Sequence, residues 1–174
     1  MSGTTKSLKD LYIHEIKDIH SANKQAAETC GMFARKLPEG SPLIAKFEQS
    51  EQMIKDNNAE LEKLAERHGE TASGMHCKGM EGLVTEAKKH VLHSDYTDEA
   101  LREATAIAQF QRMTHYAISG YGTANAYAKQ LGDDQGSKTF QGLLDEGYEG
   151  DRAFTDMAVN CINEQAAHAS EEEE

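Results

Sequence analysis

The feature that most constrains the fold is a set of four long amphipathic stripes, in which apolar or small residues recur every three or four positions. The stripes predict helices over 7–37, 42–68, 98–131 and 136–163. Helices of roughly 25 to 33 residues would span about 40 to 50 Å at 1.5 Å per residue, and helices of that length bury their stripes against each other. The spacing therefore predicts an all-α four-helix bundle.

The sequence also predicts the helix boundaries and the longest connection between helices. Ser7 and Ser41 are placed as N-caps, and the Pro38–Pro42 cluster stops the first helix because proline has no N–H to continue it. A loop over 70–79 and a short helix over 80–92 separate the second long helix from the third. A connection of this size can cross from one end of a bundle to the other, so a short fifth helix is expected in a long crossover.

The composition disfavours nucleic-acid binding and membrane association. The chain has 30 acidic and 18 basic side chains, a net charge of −12, which disfavours binding to a nucleic-acid backbone. No apolar run approaches the roughly 20 residues that cross a bilayer, and the N-terminus lacks a signal-peptide core, so we expect no membrane association and a cytoplasmic location. Three widely spaced cysteines fit reduced thiols.

The chain is predicted to be one domain. The helical bundle is assigned to residues 5–165, and the acidic segment over 166–174 is expected to be a disordered tail, because its run of glutamates offers nothing to pack.

A four-helix bundle with one long crossover is the frame on which two-metal carboxylate sites are built. Two iron or manganese ions need roughly four carboxylates for charge balance and hard oxygen ligation. Among the inward positions predicted near the helix midpoints, Asp151 is the one carboxylate. The predicted inward set is Asn23, Met53, Ile54, Asn57, Thr114, His115, Ala117, Gly147 and Asp151.

Four segments resemble the YciE/YciF group of bacterial ferritin-like stress proteins. They are Leu8–Glu15, Ala22–Gln25, Cys77–Leu83 and His115–Thr123, and together they extend the resemblance over nearly the whole chain. The strings Cys-x-x-Met-Glu-Gly-Leu and His-Tyr-x-Ile-x-x-Tyr-Gly-Thr are the most specific, because helical periodicity requires neither. The resemblance implies a ferritin-like bundle with a short fifth helix, commonly dimeric, labelled metal-binding and associated with stress.

The chain departs from the family pattern at the metal ligands. Asn23 stands where the family has an acidic residue, and Thr114 and Ala117 flank His115-Tyr116 where the family has glutamates. Met53 and Asn57 replace a Glu and a His or Gln, and Gly147 interrupts a Glu-Glu-Lys run while the later acid remains as Asp151. At least four expected carboxylates are therefore neutral.

Two functions from different classes remain open. The first is a stress-associated, non-enzymatic ferritin-like bundle with a degenerate metal site, needing no cofactor. The second is a di-iron or di-manganese oxidoreductase or peroxide-handling protein, which would require Glu15, Glu51, Glu146 or Glu149 to turn inward. No catalytic residue and no small-molecule ligand is assigned, and a homodimer is expected. The candidate metal ligands are Asp151, His115, Asn57 and Asn23.

Each of these candidates also has a structural interpretation. His115 can be a hydrogen-bonded core histidine, and Asp151 can belong to a structural polar cluster. Three glycines in the last helix, Gly142, Gly147 and Gly150, each cost about 1 kcal/mol relative to Ala. Either close helix packing or a cavity left by a lost metal cluster would account for them.

Overall fold

A computed structural model of the chain describes residues 5–168, so most of the predicted tail, 169–174, lies outside the described residues. No strand occurs among the residues described. The last long helix continues through a π-helical segment, Ala158–Ile162, into a short C-terminal helix. The helices are α1 (Leu8–Lys36), α2 (Pro42–Arg67), α3 (Lys78–Leu92), α4 (Glu99–Leu131), α5 (Asp134–Met157) and α6 (Asn163–His168).

Side-chain caps set the helix starts. The Ser7 hydroxyl accepts the Asp10 N–H at 3.1 Å, and the Ser41 hydroxyl accepts the Leu43 N–H at 3.2 Å. Both serines therefore satisfy N–H groups that a helix start leaves without a partner. At its other end α4 stops at Gly132, which adopts a left-handed conformation with φ of 71°.

The helices pack as two hairpins. Helix α1 lies along α2, α4 lies along α5, and the hairpins join mainly where α1 meets α4. The short α3 lies in the crossover and packs on both α1 and α4. Helices α2 and α5 scarcely touch. The all-α four-helix bundle with a short helix in its long crossover is confirmed.

Two apolar clusters form the core. In the larger one, four phenylalanine rings from four helices pack together, with neighbouring centroids 4.2 to 5.7 Å apart in tilted or edge-to-face pairs. The second cluster lies toward the other end of α1, around Tyr12, Ile16 and Phe140. The four rings of the first cluster are Phe33, Phe47, Phe110 and Phe154.

A polar cluster closes one end of the bundle. The Asp133 carboxylate caps α5 by accepting the Gly136 N–H at 3.0 Å. It also accepts the Tyr12 hydroxyl at 3.1 Å and lies 3.0 Å from His68 Nε2 and 3.4 Å from Arg67. One carboxylate therefore ties together α1, α5 and the end of α2.

Within residues 5–168, no helix is both long enough and apolar enough to span a bilayer. The predicted helix over 136–163 differs from the structure near its end. There the Asn163 N–H donates to the Ala158 carbonyl, five residues back, which inserts one extra residue into the turn.

Candidate functional site

The central cavity lies between the four long helices near their midpoints. Its volume is about 40 Å³, and every long helix contributes to its wall. Seven of the nine predicted inward residues line it, and these do not include His115 and Asp151. The lining residues are Asn23, Ala26, Met53, Ile54, Asn57, Phe110, Met113, Thr114, Ala117, Tyr121, Leu143, Glu146, Gly147 and Gly150.

The polar part of the cavity is an amide and phenol group. The Tyr121 hydroxyl donates to Asn23 Oδ1 at 2.8 Å, and both residues are buried. Burial raises the pKa of the Tyr121 phenol above its usual value, although hydrogen bonding to Asn23 and Asn57 lowers it. The hydroxyl therefore stays neutral at physiological pH.

One donor of this group is left over. Asn23 is 1 % exposed, and its amide nitrogen finds no acceptor among the residues described. A buried donor without an acceptor is unfavourable, and native proteins contain few of them.

Carboxylates are scarce around the cavity. Of the described residues that line it, Glu146 is the one acid, and its side chain is exposed at the mouth. Glu51 pairs instead with Lys55 at 2.6 Å, and Glu15 lines a different cleft. Glu149 is exposed and does not line the cavity.

The prediction that His115 faces the core is wrong, and Asp151, although partly buried, does not line the cavity. The His115 side chain is 62 % exposed, and its Nε2 lies 3.2 Å from Asp151 Oδ1. Asp151 also accepts the Gln111 side-chain N–H at 3.1 Å. These contacts join α4 to α5 outside the cavity, so the four predicted ligands form two separate pairs.

The donors at the cavity do not fit a two-metal centre. Two divalent ions would bring four positive charges against a single formal negative charge, on Glu146. An amide nitrogen on Asn23 offers a hydrogen-bond donor where a cation needs an electron pair. No group of three or more His, Cys, Asp or Glu side chains that could hold a metal ion occurs in the part of the chain that the structure describes.

The three glycines of α5 have different surroundings. A Cβ on Gly147 would lie 3.0 Å from Ile118 Cγ1, so α4 and α5 approach closely there. A Cβ on Gly142 or Gly150 would meet nothing within 4 Å. Close packing therefore accounts for one glycine, and the other two border open space.

A second polar cluster joins the two most specific motifs. The Cys77 thiol donates to Asp18 Oδ2 at 3.0 Å and lies 3.1 Å from the Tyr116 hydroxyl. Gly79 lets this ring approach, because a Cβ there would clash with the Tyr116 side chain. The strings that begin at Cys77 and His115 thus meet where α3 packs on α1 and α4.

This second cluster is held together by hydrogen bonds of the Cys77 thiol and backbone. Burial raises the pKa of the Cys77 thiol, so the sulfur keeps its proton and donates it in a hydrogen bond. The Cys77 N–H donates to Ser21 Oγ at 2.9 Å, and Gln25 donates to the Cys77 carbonyl at 3.0 Å. The cluster fixes the start of α3 against α1.

Two parts of this arrangement were not predicted from the sequence. Tyr121 completes the polar group of the cavity, and the contact among Cys77, Asp18 and Tyr116 was not predicted. The signal available for both was the pair of strings Cys77–Leu83 and His115–Thr123, whose polar residues do not follow the apolar period.

Comparisons with known proteins agree over nearly the full chain. The sequence model of DUF892, a domain of unknown function, matches residues 7–167. Protein YciF of Escherichia coli K12 is 31 % identical over 166 residues, covering 92 % of this chain and 96 % of that protein.

Solved structures show the same architecture. The crystal structure of the E. coli stress protein YciF superposes with a TM-score of 0.84 at 29 % identity, covering 91 % of this chain and 99 % of that one. YcfI of Rhodopseudomonas palustris gives a TM-score of 0.81 at 22 % identity, with 89 % and 97 % covered. The family match and the identity to YciF lead to one conclusion: this chain belongs to the DUF892 family, together with the YciF-like stress proteins.

Proposed function

We propose that this chain is a stress-associated, non-enzymatic bundle protein of the cytoplasm, whose ferritin-like metal site has become a neutral polar cluster. Its similarity to the E. coli stress protein YciF supports the association with stress. The observation that carries the loss of the metal site is the cavity lining, with two asparagines, a neutral tyrosine and one exposed glutamate.

Charge balance supports this proposal. Each uncompensated ion in a core of low dielectric constant costs several kcal/mol. The pairing of Tyr121 with Asn23 instead joins two neutral groups, which needs no counter-ion. The cluster then serves to align α1 with α4 in the middle of the bundle.

Metal analysis tests the proposal. Protein purified without chelator or affinity tag should contain well below one iron or manganese ion per chain. Added Fe(II) or Mn(II) should leave the melting temperature nearly unchanged, because an ion that does not bind the native state cannot stabilise it.

Two stoichiometric ions would establish the alternative, a di-iron or di-manganese oxidoreductase or peroxide-handling protein. Those ions should be lost in Glu146→Gln, which changes the one carboxylate at the cavity, and kept in Glu149→Gln, a matched change outside it. A single ion lost in Asp151→Asn would instead identify a mononuclear site at the Asp151 and His115 pair.

A further inference from the structure

The gap between α2 and α5 forms a groove beside the cavity. Its volume is about 450 Å³. Asn57, Leu143 and Glu146 line both the groove and the cavity, so the two spaces are neighbours with a shared wall. The bundle is therefore open on the side where these helices scarcely touch.

Two glycines lie on the α5 side of this opening. Gly142 lines the groove and Gly150 lines the cavity, one on each side of Glu146 on the same helix face. Glycine is unfavourable in a helix interior relative to alanine. Because a Cβ at either position would meet no described atom within 4 Å, contacts within the chain do not account for these glycines.

The inner end of the opening has an unused hydrogen-bond donor. Asn23 lines the cavity, and its buried amide nitrogen has no acceptor among residues 5–168. An oxygen atom that enters the cavity would supply the missing acceptor. The space beside the glycines and the unpaired amide are independent observations, and both favour a bound molecule at this place.

Charge and size restrict that occupant. Glu60 and Glu146 outnumber Lys138 along the groove, which disfavours anions. Around the cavity the walls are mainly apolar, with Met53, Ile54 and Met113 among them. At about 40 Å³, the inner cavity admits a small head group, while the remainder of a ligand can lie in the groove.

We propose that the α2–α5 groove and the central cavity bind a small uncharged organic molecule, whose carbonyl or ether oxygen accepts the free N–H of Asn23. The inference rests on the proposed function, because a metal centre would occupy the same cavity. Because the Asn23 amide nitrogen is buried, side chains of the cavity wall must shift for the oxygen to reach it.

The test uses butan-2-one as the probe and butyrate as its anionic counterpart, with nuclear magnetic resonance of the labelled full-length chain. Butan-2-one should shift the Asn23 side-chain amide and give intermolecular Overhauser contacts to the methyls of Met53 and Met113. A probe of this size should have a Kd on the order of 1 to 10 mM. Butyrate should give neither effect.

Two matched variants locate the site. Gly150→Leu should fill the opening and weaken butan-2-one binding by at least about tenfold. Gly82→Leu makes the same change at an exposed position of α3, away from the groove, where a Cβ also meets nothing within 4 Å. This variant should bind butan-2-one as the unmodified chain does.

If butan-2-one makes no contacts to the methyls of Met53 and Met113 in the unmodified chain, the inference is overturned, whatever the variants show. So would equal binding by Gly150→Leu and Gly82→Leu. Metal analysis separates the two proposals. Metal-free protein that ignores the probe refutes only this inference, whereas two bound ions refute the proposed function and the inference with it.

Discussion

Tyr121 shows how a single buried hydroxyl can order the middle of the bundle. Its ring belongs to α4 and its hydroxyl donates to Asn23 on α1. Since both residues are buried, neither can exchange its partner for water. The contact therefore favours one alignment of α1 against α4.

Replacing Tyr121 with Phe should lower the free energy of unfolding by about 1 to 3 kcal/mol, because Asn23 Oδ1 loses its buried donor. Urea unfolding followed by circular dichroism measures the change. Tyr148→Phe is the matched control, since Tyr148 is 43 % exposed, and should have little effect. Equal stabilities for the two variants would contradict the role given to the Tyr121 hydroxyl.

Asp133 gives the bundle a predictable response to acid. Burial acts to raise the pKa of this carboxyl, but hydrogen bonds from Gly136, His68 and Tyr12 hold the pKa below its ordinary value of 3.8. A carboxyl whose pKa is lowered by folding stabilises the folded chain above its unfolded pKa. That contribution is lost as the pH falls through the folded pKa.

Asp133→Asn should therefore cost about 1 to 2 kcal/mol at pH 7, through loss of charged hydrogen bonds, while asparagine still caps α5. The deficit should shrink as the pH is lowered below about 4. Urea unfolding over a pH series measures it, with exposed Asp145→Asn as the control. A deficit that stays constant across the series would show that the Asp133 charge is not its cause.

At the scale of helices, α5 shows that two glycines in one helix can differ in how a side chain in their place would affect stability. Gly147 lies against Ile118, whereas Gly142 borders open space. Alanine favours a helix by about 1 kcal/mol over glycine where nothing obstructs its methyl group.

Gly142→Ala should raise the free energy of unfolding by up to about 1 kcal/mol. Gly147→Ala should gain less or be destabilising, because its Cβ would lie 3.0 Å from Ile118 Cγ1. Thermal melts of the two variants side by side provide the measurement. A larger gain at Gly147 than at Gly142 would contradict the packing described for α5.

The starts of α1 and α2 were predictable because they depend on local chemistry. Ser7 and Ser41 act as caps in the structure, as predicted. The π-helical turn at Ala158–Ile162 was not predictable, because it inserts one residue beyond the regular α-helical turn and apolar spacing does not mark the insertion.

The cavity lining was predictable except at His115 on α4 and Asp151 on α5. Thr114 and Ala117 line the cavity, but His115 is exposed. Helix α4 packs against α1, α3 and α5, so its buried surface is wider than one stripe. Apolar spacing alone cannot choose between adjacent positions on such a helix. The open gap beside α5 also depends on the distance between helices, which no local pattern reports.

For the whole molecule, the exposed apolar side chains bear on association. Leu11, Leu131, Tyr148 and Val159 are exposed large apolar residues, and Val159 is 67 % exposed. The family resemblance adds the expectation of a dimer. We therefore propose that the chain forms a homodimer.

Sedimentation equilibrium at micromolar concentration should give twice the chain mass of 19.2 kDa. Val159→Glu should shift the equilibrium toward the single chain, because a charge at this exposed apolar position opposes its burial between two copies. Glu149→Gln, at an exposed position of α5, should not. A mass of 19.2 kDa at every concentration would refute the dimer.

The division into two hairpins has a consequence for how the chain folds. Each hairpin joins helices that are adjacent in sequence and separated by a short turn, so its contacts close small loops at low entropic cost. The α1 and α4 contact closes a much longer loop through α3. We expect the hairpins to gain structure early, with the docking of α1 on α4 as the slower step of the folding reaction.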